Sequence, residues 1–222
     1  MLNPVVIINT MAVLAGSALG LLTGKGLTPR FRSVLFQAIG LLTIGLGLKM
    51  FLDYRNALIV LGSMAAGGLL GELLRIEDRL AQLAGRAGEG AHFTRGFVIA
   101  LVLFVPGPMT VLGSLRAGLE RNGELLLIKS LMDFISSIML AAGYGKGVLL
   151  SAAGVWLCEG LLVTFAASLS FLQEPRYLSN FTAVGGLMLL AIGIRMLELR
   201  EIKVGNYLPA LLIAPLLSHF WS

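Results

Sequence analysis

The sequence is poor in the residue types that aqueous chemistry uses. Only 13% of its 222 residues are charged, and it holds one cysteine and two histidines. Cys158 lies inside an apolar run, which excludes an intramolecular disulfide and a paired-cysteine redox motif. His92 and His219 stand far apart with no third ligand at metal spacing, so neither a metal nor a cofactor is expected. HExxH and GxSxG are absent, which ranks an intramembrane enzyme last among the functional classes. The start of the chain has no basic n-region. Its first basic residue, Lys25, comes only after the apolar run, unlike a signal peptide.

What remains is apolar. Hydrophobic residues make up 57% of the chain, and the mean hydropathy is +0.89. These values predict an all-α, polytopic transmembrane helix bundle whose solvent is the lipid bilayer. A span needs ~20 mostly apolar residues. Eight segments fit, near 4–24, 34–52, 57–74, 96–115, 125–143, 147–172, 181–197 and 204–220. They fill 1–222 as a single membrane domain.

The net charge of +5 does not point to nucleic acid, because the basic residues sit in short loops and follow the positive-inside rule. With the N-terminus outside, 11 of the 17 Lys and Arg residues fall on inside loops. Both termini are therefore expected to face out of a bacterial inner membrane.

Gly16, Gly20 and Gly24 recur every fourth residue in the first span, and the third span is rich in Gly and Ala. Small residues on one stripe let helices approach closely. The stripes serve packing within the chain or, equally, a homodimer. Between spans three and four, Ile76, Leu80, Leu83 and Ala87 recur at helical spacing with charge opposite. Residues 75–95 thus read as an interfacial amphipathic connector ended by Gly85, Gly88 and Gly90, with no regulatory role.

An internal repeat is legible. In one register Gly40, Leu41, Gly47 and Met50 align with Gly186, Leu187, Gly193 and Met196, and Pro29, Arg30 and Phe31 with Pro175, Arg176 and Tyr177. A slightly shifted register sets Gly62 on Gly205 and Ser63 on Asn206. Repeat one would be 1–74 and repeat two 147–222, with a central pair, 96–143, between. Spans one and six differ by an odd count, so the repeat would be inverted if spans four and five both cross. Many secondary transporters are built so, with a midplane site on interrupted helices.

The fourth span is interrupted. Pro106, Gly107 and Pro108 fall ~14 Å along it, near the middle of a ~30 Å core. The prolines free the carbonyls of Val102 and Phe104, and a second half-helix is expected to restart near Met109 or Thr110 with unpaired N–H groups. Irregular backbone at this depth lines a cavity, or is a kink patched by neighbouring side chains.

Acids sit at the same depth. Asp133 is ~12 Å into span five and Glu159 ~18 Å into span six. An ionisable group this deep faces the interior and marks function by default. Lys129, four residues before Asp133, pairs with it or snorkels to the outer end. Carboxylates and freed carbonyls suit a cation or proton; Lys129 and half-helix N–H groups suit an anion. The alternative is a Lys129–Asp133 pair and a protonated Glu159 that staple the bundle. Asn9 and Asn206 are the remaining candidates, each able to hydrogen-bond a neighbouring helix.

The segments "NTMAVLAGSALGLLTG", "FVPGPMTVLGSLRAGL", "LLLIKSLMDFISSIML", "GYGKGVLLSAAGV", "TAVGGLMLLAIGIRML" and "VGNYLPALL" together resemble the bacterial membrane family called domain of unknown function 554. The likeness spans nearly the whole chain. It implies a multi-pass inner-membrane protein without an assigned activity, substrate or catalytic residue. Asn9, Gly107, Met109, Gly113, Gly118, Lys129, Asp133, Asn206 and Pro209 match the family pattern by position. The chain departs from it at Pro106, at Arg116-Ala117 in place of a polar-acidic pair, and at Glu159 in place of glutamine. Those departures leave Asp133 as the stronger site residue. The expectation is a transporter or facilitator of a small solute or ion. The alternatives are a channel-like pore and a non-transporting assembly or regulatory subunit.

Overall fold

The computed structural model describes residues 3–24, 28–86, 90–105 and 107–221. Every regular element among them is helical. The ten α-helices are α1 (Pro4–Gly24), α2 (Pro29–Phe51), α3 (Ala57–Leu74), α4 (Ile76–Arg86), α5 (Gly90–Phe104), α6 (Pro108–Leu119), α7 (Glu124–Tyr144), α8 (Gly147–Thr164), α9 (Pro175–Met196) and α10 (Leu208–Phe220). A 3-10 turn at Val204–Tyr207 precedes α10.

Among the described residues, α1, α3, α7, α8 and α9 are long and apolar enough to cross a membrane, and the bent α5–α6 pair raises the number to six. The expected second and eighth spans are the shorter apolar helices Gln37–Phe51 and Val204–Phe220. α2 itself runs 23 residues, with Arg30 in its first turn, whereas Pro209 and the 3-10 turn confine α10 to 13 residues. Many large apolar side chains face outward, including Leu69 and Leu73 of α3 and Leu131 and Ile135 of α7. Such surfaces are stable against lipid rather than water, and the chain is a multi-pass membrane protein.

The chain divides into two compact units, each assembled from two stretches. The first holds Met1–Leu35 and Glu89–Gln173; the second holds Phe36–Gly88 and Glu174–Ser222.

In the first unit α1 and α7 run parallel. A Cβ added to Gly16 would collide with the Phe134 carbonyl, one on Gly20 with that of Ile138, and one on Gly24 would lie 2.7 Å from that of Ala142. The advance by one turn on both helices together makes the pair parallel, and the Gly stripe is consumed inside the chain. A Gly20→Leu substitution therefore overpacks this seam, at ~1–3 kcal/mol. Its unfolding temperature in detergent should fall by several degrees. Gly45→Ala, where an added Cβ meets nothing within 4 Å, should leave it unchanged or slightly higher.

The α5–α6 pair follows α8 along its length. Gly147, at the start of α8, meets Phe93 and Phe97; Gly154 meets Leu101; Val163, near the end of α8, meets Gly118. The pair bends by 62° at its break and still runs from one end of α8 to the other.

In the second unit α2 and α9 are antiparallel, with Gly40 against Met196 and Leu197, Gly193 against Gly40, and Gly47 against Gly186. α3 and α10 are also antiparallel: Gly67 abuts Ala210 and Gly71 abuts Asn206. Asn56 caps α3, its side-chain oxygen accepting from Leu58 N at 2.9 Å. The chain then turns at Arg75, in the left-handed region with φ 50°, into α4. The helical expectation for residues 76–86 is met, and α4 continues through Gly85. Ala87 and Gly88 lie outside the described residues, and Gly90 begins α5 rather than ending α4.

Candidate functional site

Three helices of the first unit bring four predicted residues together. α7 presents Lys129 and Asp133 one turn apart on its buried face. α8 presents Glu159, and α1 presents Asn9; the last two are fully buried. Lys129 Nζ donates to Asp133 Oδ2 and lies 3.3 Å from Glu159 Oε1. Asn9 Nδ2 donates to Asp133 Oδ2 at 3.1 Å and to Glu159 Oε1 at 2.7 Å. One ammonium and one amide therefore bridge two carboxylates across three helices.

Lys129 does not snorkel. It is only 6% exposed, because two carboxylates within reach outweigh the distant aqueous boundary. Two buried oxygens of the quartet, Asn9 Oδ1 and Glu159 Oε2, have no hydrogen-bond partner among the described residues. Both are acceptors. A buried acceptor without a donor is costly and rare.

The helix break lies on the stretch of α8 between its contacts with Leu101 and Gly118, which is the stretch that carries Glu159. Pro106 is outside the described residues. Gly107 is extended, with φ −102° and ψ 149°, and precedes α6, whose first residue is Pro108. α6 thus restarts one residue or more before the expected Met109 or Thr110. Proline favours that first position because it has no N–H to leave unpaired. The N–H of Thr110 is not free: it donates to Gly107 O at 3.0 Å. The Thr110 hydroxyl donates to the freed carbonyl of Phe104 at 2.9 Å, spanning the break. A side chain thereby patches one of the two carbonyls that the prolines release, as in the patched-kink alternative. Met109 is half-buried on the first turn of α6.

Asn206 belongs to the second unit, and its amide is engaged there through both its oxygen and its nitrogen. Its oxygen accepts from Glu77 N at 2.8 Å, and its nitrogen donates to Glu72 Oε2 at 2.7 Å. Sequence reasoning missed the cluster around it. Glu77, on the nominally charged face of α4, is buried. It accepts from Arg195 at 2.8 Å and from Gly205 N at 2.9 Å. Arg195 also pairs with Glu201 at 3.0 Å. Lys203 pairs with Asp78, whose hydrogen bond and charge hold the Lys203 ammonium above the usual lysine range. The available signal was Glu72 and Arg195 sitting inside predicted spans, where each needs a partner. At the opposite end of the same unit, Asn180 accepts from the N–H groups of Arg55 and Asn56 and donates to Ser218.

A cavity of about 690 Å³ opens where α1 begins, with Asn3, Val5, Ala117, Arg121 and Val163 among its walls. Asn9 lies one turn beyond Val5, and Glu159 one turn before Val163, each ~6 Å along its helix. Between cavity and quartet stands an apolar layer of Val6, Ala117 and Leu126, with Val5, Trp156 and Val163 packed on it. Among the described residues no group of three His, Cys, Asp or Glu side chains is placed to hold a metal ion.

Residues 5–219 match the family described as "Protein of unknown function (DUF554)", and the chain belongs to that family. It is similar to the uncharacterized membrane protein YdfK of Bacillus subtilis (strain 168), at 30% identity over 213 residues, covering 94% of this chain and 93% of that protein. It is also similar to the uncharacterized protein YqgA of Escherichia coli (strain K12), at 30% identity over 225 residues, covering 97% and 96% respectively. No solved structure matches.

Proposed function

We propose that this chain is a secondary transporter or facilitator of a small solute or ion in a bacterial inner membrane, working through the Asn9–Lys129–Asp133–Glu159 quartet. The observation that carries the reading is the quartet itself. Four polar groups are buried inside membrane-length helices with two acceptor oxygens unsatisfied. A packed bundle gains nothing from such a cluster that apolar side chains would not supply more cheaply, so an intramembrane group of this kind is read as a site. The 690 Å³ cavity supplies an entrance, and the apolar layer beneath it a thin outer barrier.

The helix directions support eight crossings. With α2, α3 and the α5–α6 pair all crossing, α7 enters from the same side as α1. The parallel packing of α1 on α7 agrees with this, whereas a re-entrant α5–α6 would make them antiparallel. An inverted repeat draws support from the second unit. In the register that sets Gly40 on Gly186 and Gly47 on Gly193, a two-fold axis requires reciprocal contacts. Gly40 packs on Gly193 and Gly47 on Gly186, which meets that requirement. Positive-inside counting then places the cavity, and both termini, outside.

The test is flux into proteoliposomes under an imposed pH gradient, across a panel of inorganic cations, carboxylates and amino acids. Wild-type protein should give saturable flux of at least one of them. Asp133→Asn removes a charge that holds both Lys129 and Asn9, and should lower that flux by about tenfold or more. Flux without saturation would make the protein a channel. Absence of flux across the panel, with a partner protein co-purifying at fixed ratio, would favour the assembly or regulatory subunit. Full flux by Asp133→Asn would remove Asp133 from the transport path.

A further inference from the structure

The quartet carries one positive charge, on Lys129, against two carboxylates. If both acids are ionised, a fully buried cluster keeps a net negative charge, and the same cluster has two acceptor atoms in want of a donor. A single species removes both defects. A proton on Glu159 Oε2 cancels the surplus charge and turns that oxygen from acceptor into donor. The other orphan, Asn9 Oδ1, is the acceptor it would need.

The pairing has a definite form. Asn9 Nδ2 already donates to Glu159 Oε1 at 2.7 Å. A carboxylic acid and a primary amide close a ring of two hydrogen bonds, one in each direction. The bond already present is the first. The two atoms left without partners are those that make the second.

We propose that Glu159 and Asn9 form a proton-binding site, with the proton as the coupling ion of the chain. The proton is drawn from the aqueous phase and bonds to Glu159 Oε2, with no other bond broken. Its release returns the carboxylate and restores the net negative charge. This rests on the reading of the quartet as the transport site.

The groups facing Glu159 are few. α7 contributes Lys129 and Asp133, α1 contributes Asn9, and α8 contributes the neighbouring thiol of Cys158. Residues 97–115 of α5 and α6 include no titratable side chain. Lys129 holds Asp133 as an ion pair, which leaves Glu159 as the acid whose charge is in excess.

The probe is the proton itself, read by infrared spectroscopy of detergent-solubilised full-length protein. A protonated carboxyl has a C=O stretch apart from the backbone amide bands. Wild type should show one such buried carboxyl, disappearing reversibly as pH rises. Glu159→Gln, isosteric with the protonated form, should lack it, while Asp133→Asn should weaken it, because Lys129 is then left to balance the Glu159 carboxylate alone. Asn9→Ala should move it to higher frequency, because Oε1 loses its amide donor; this also serves if Glu159→Gln fails to fold.

Several results would overturn the site. The band could be absent at every pH, survive in Glu159→Gln, or be as strong in Asp133→Asn as in wild type. It could persist unchanged until the protein unfolds, marking a permanent structural proton. Sodium chloride could abolish it at fixed pH, making a metal cation the occupant. The two readings fail separately. Flux without a protonated carboxyl leaves transport standing and removes the proton site; the band without flux does the reverse.

Discussion

Lys129→Met should destabilise the protein more than any other single substitution in the first unit, by ~3–5 kcal/mol, the scale for removing one partner from a buried ion pair. The change hardly alters volume. What it removes is the positive charge shared by Asp133 and Glu159, leaving the two carboxylates to one donor nitrogen, Asn9 Nδ2. Adding Asp133→Asn to Lys129→Met should recover part of the loss, since the pair then disappears together. Acidifying the buffer should also recover part, because a protonated carboxyl no longer needs the ammonium. Thermal unfolding in detergent, followed by loss of monodisperse protein, reads all three. If Lys129→Met unfolds at the wild-type temperature, the ammonium reaches the aqueous boundary and the quartet is not a closed ion cluster.

Arg195→Met should have the corresponding effect in the second unit. Glu77 is held there by Arg195 and the Gly205 N–H, with both side chains of the pair about 10% exposed. Without the guanidinium, the Glu77 carboxylate keeps a backbone donor only, and the expected cost is ~3 kcal/mol. The loss should be local as well as global, because Glu77 lies in the first turn of α4. Limited trypsin digestion should then cut faster at Arg79, which is exposed. Glu77→Leu in the same chain should reverse most of the effect, and the double-mutant cycle gives the coupling directly. Equal digestion of Arg195→Met and wild type would mean that α4 is retained by its apolar face alone.

The quartet was largely legible because its cost is legible. An acid twelve or more ångströms into an apolar run has no aqueous route, so Asp133 and Glu159 had to turn inward. Their spacing from Lys129 gave the pair but not the third helix. Nothing in one sequence says that Asn9 rather than Asn206 meets the acids, because that depends on which helices pack.

The α1 stripe of Gly16, Gly20 and Gly24 revealed close packing without naming α7 as its partner. Glu77 misled for a different reason. Amphipathic patterning assigns every charge on α4 to water, yet burial of Glu77 is decided by Arg195, more than a hundred residues away. At the helix break, proline chemistry predicted the freed carbonyls. It could not foresee that the Thr110 hydroxyl would answer one of them, since side-chain rescue is a matter of rotamer and turn geometry. Segment lengths were the least readable feature. Helix α2 begins at Pro29, ahead of the apolar run expected from 34, and the apolar run expected from 204 begins ahead of α10 at Leu208, so helix and apolar span do not coincide.

The interleaving of the two units sets an order of completion during synthesis. Every segment of the first unit has been made once Gln173 leaves the ribosome. The second unit is then only half present. Glu72 waits 134 residues for Asn206, roughly 7–27 s at ~5–20 residues per second. Throughout that interval the small-residue face of α3 has no α10, and its carboxylate has no amide. The nascent chain therefore passes through a stage with a finished first unit and an open second one. Insertion machinery, lipid or water must shelter that opening until the last helix arrives.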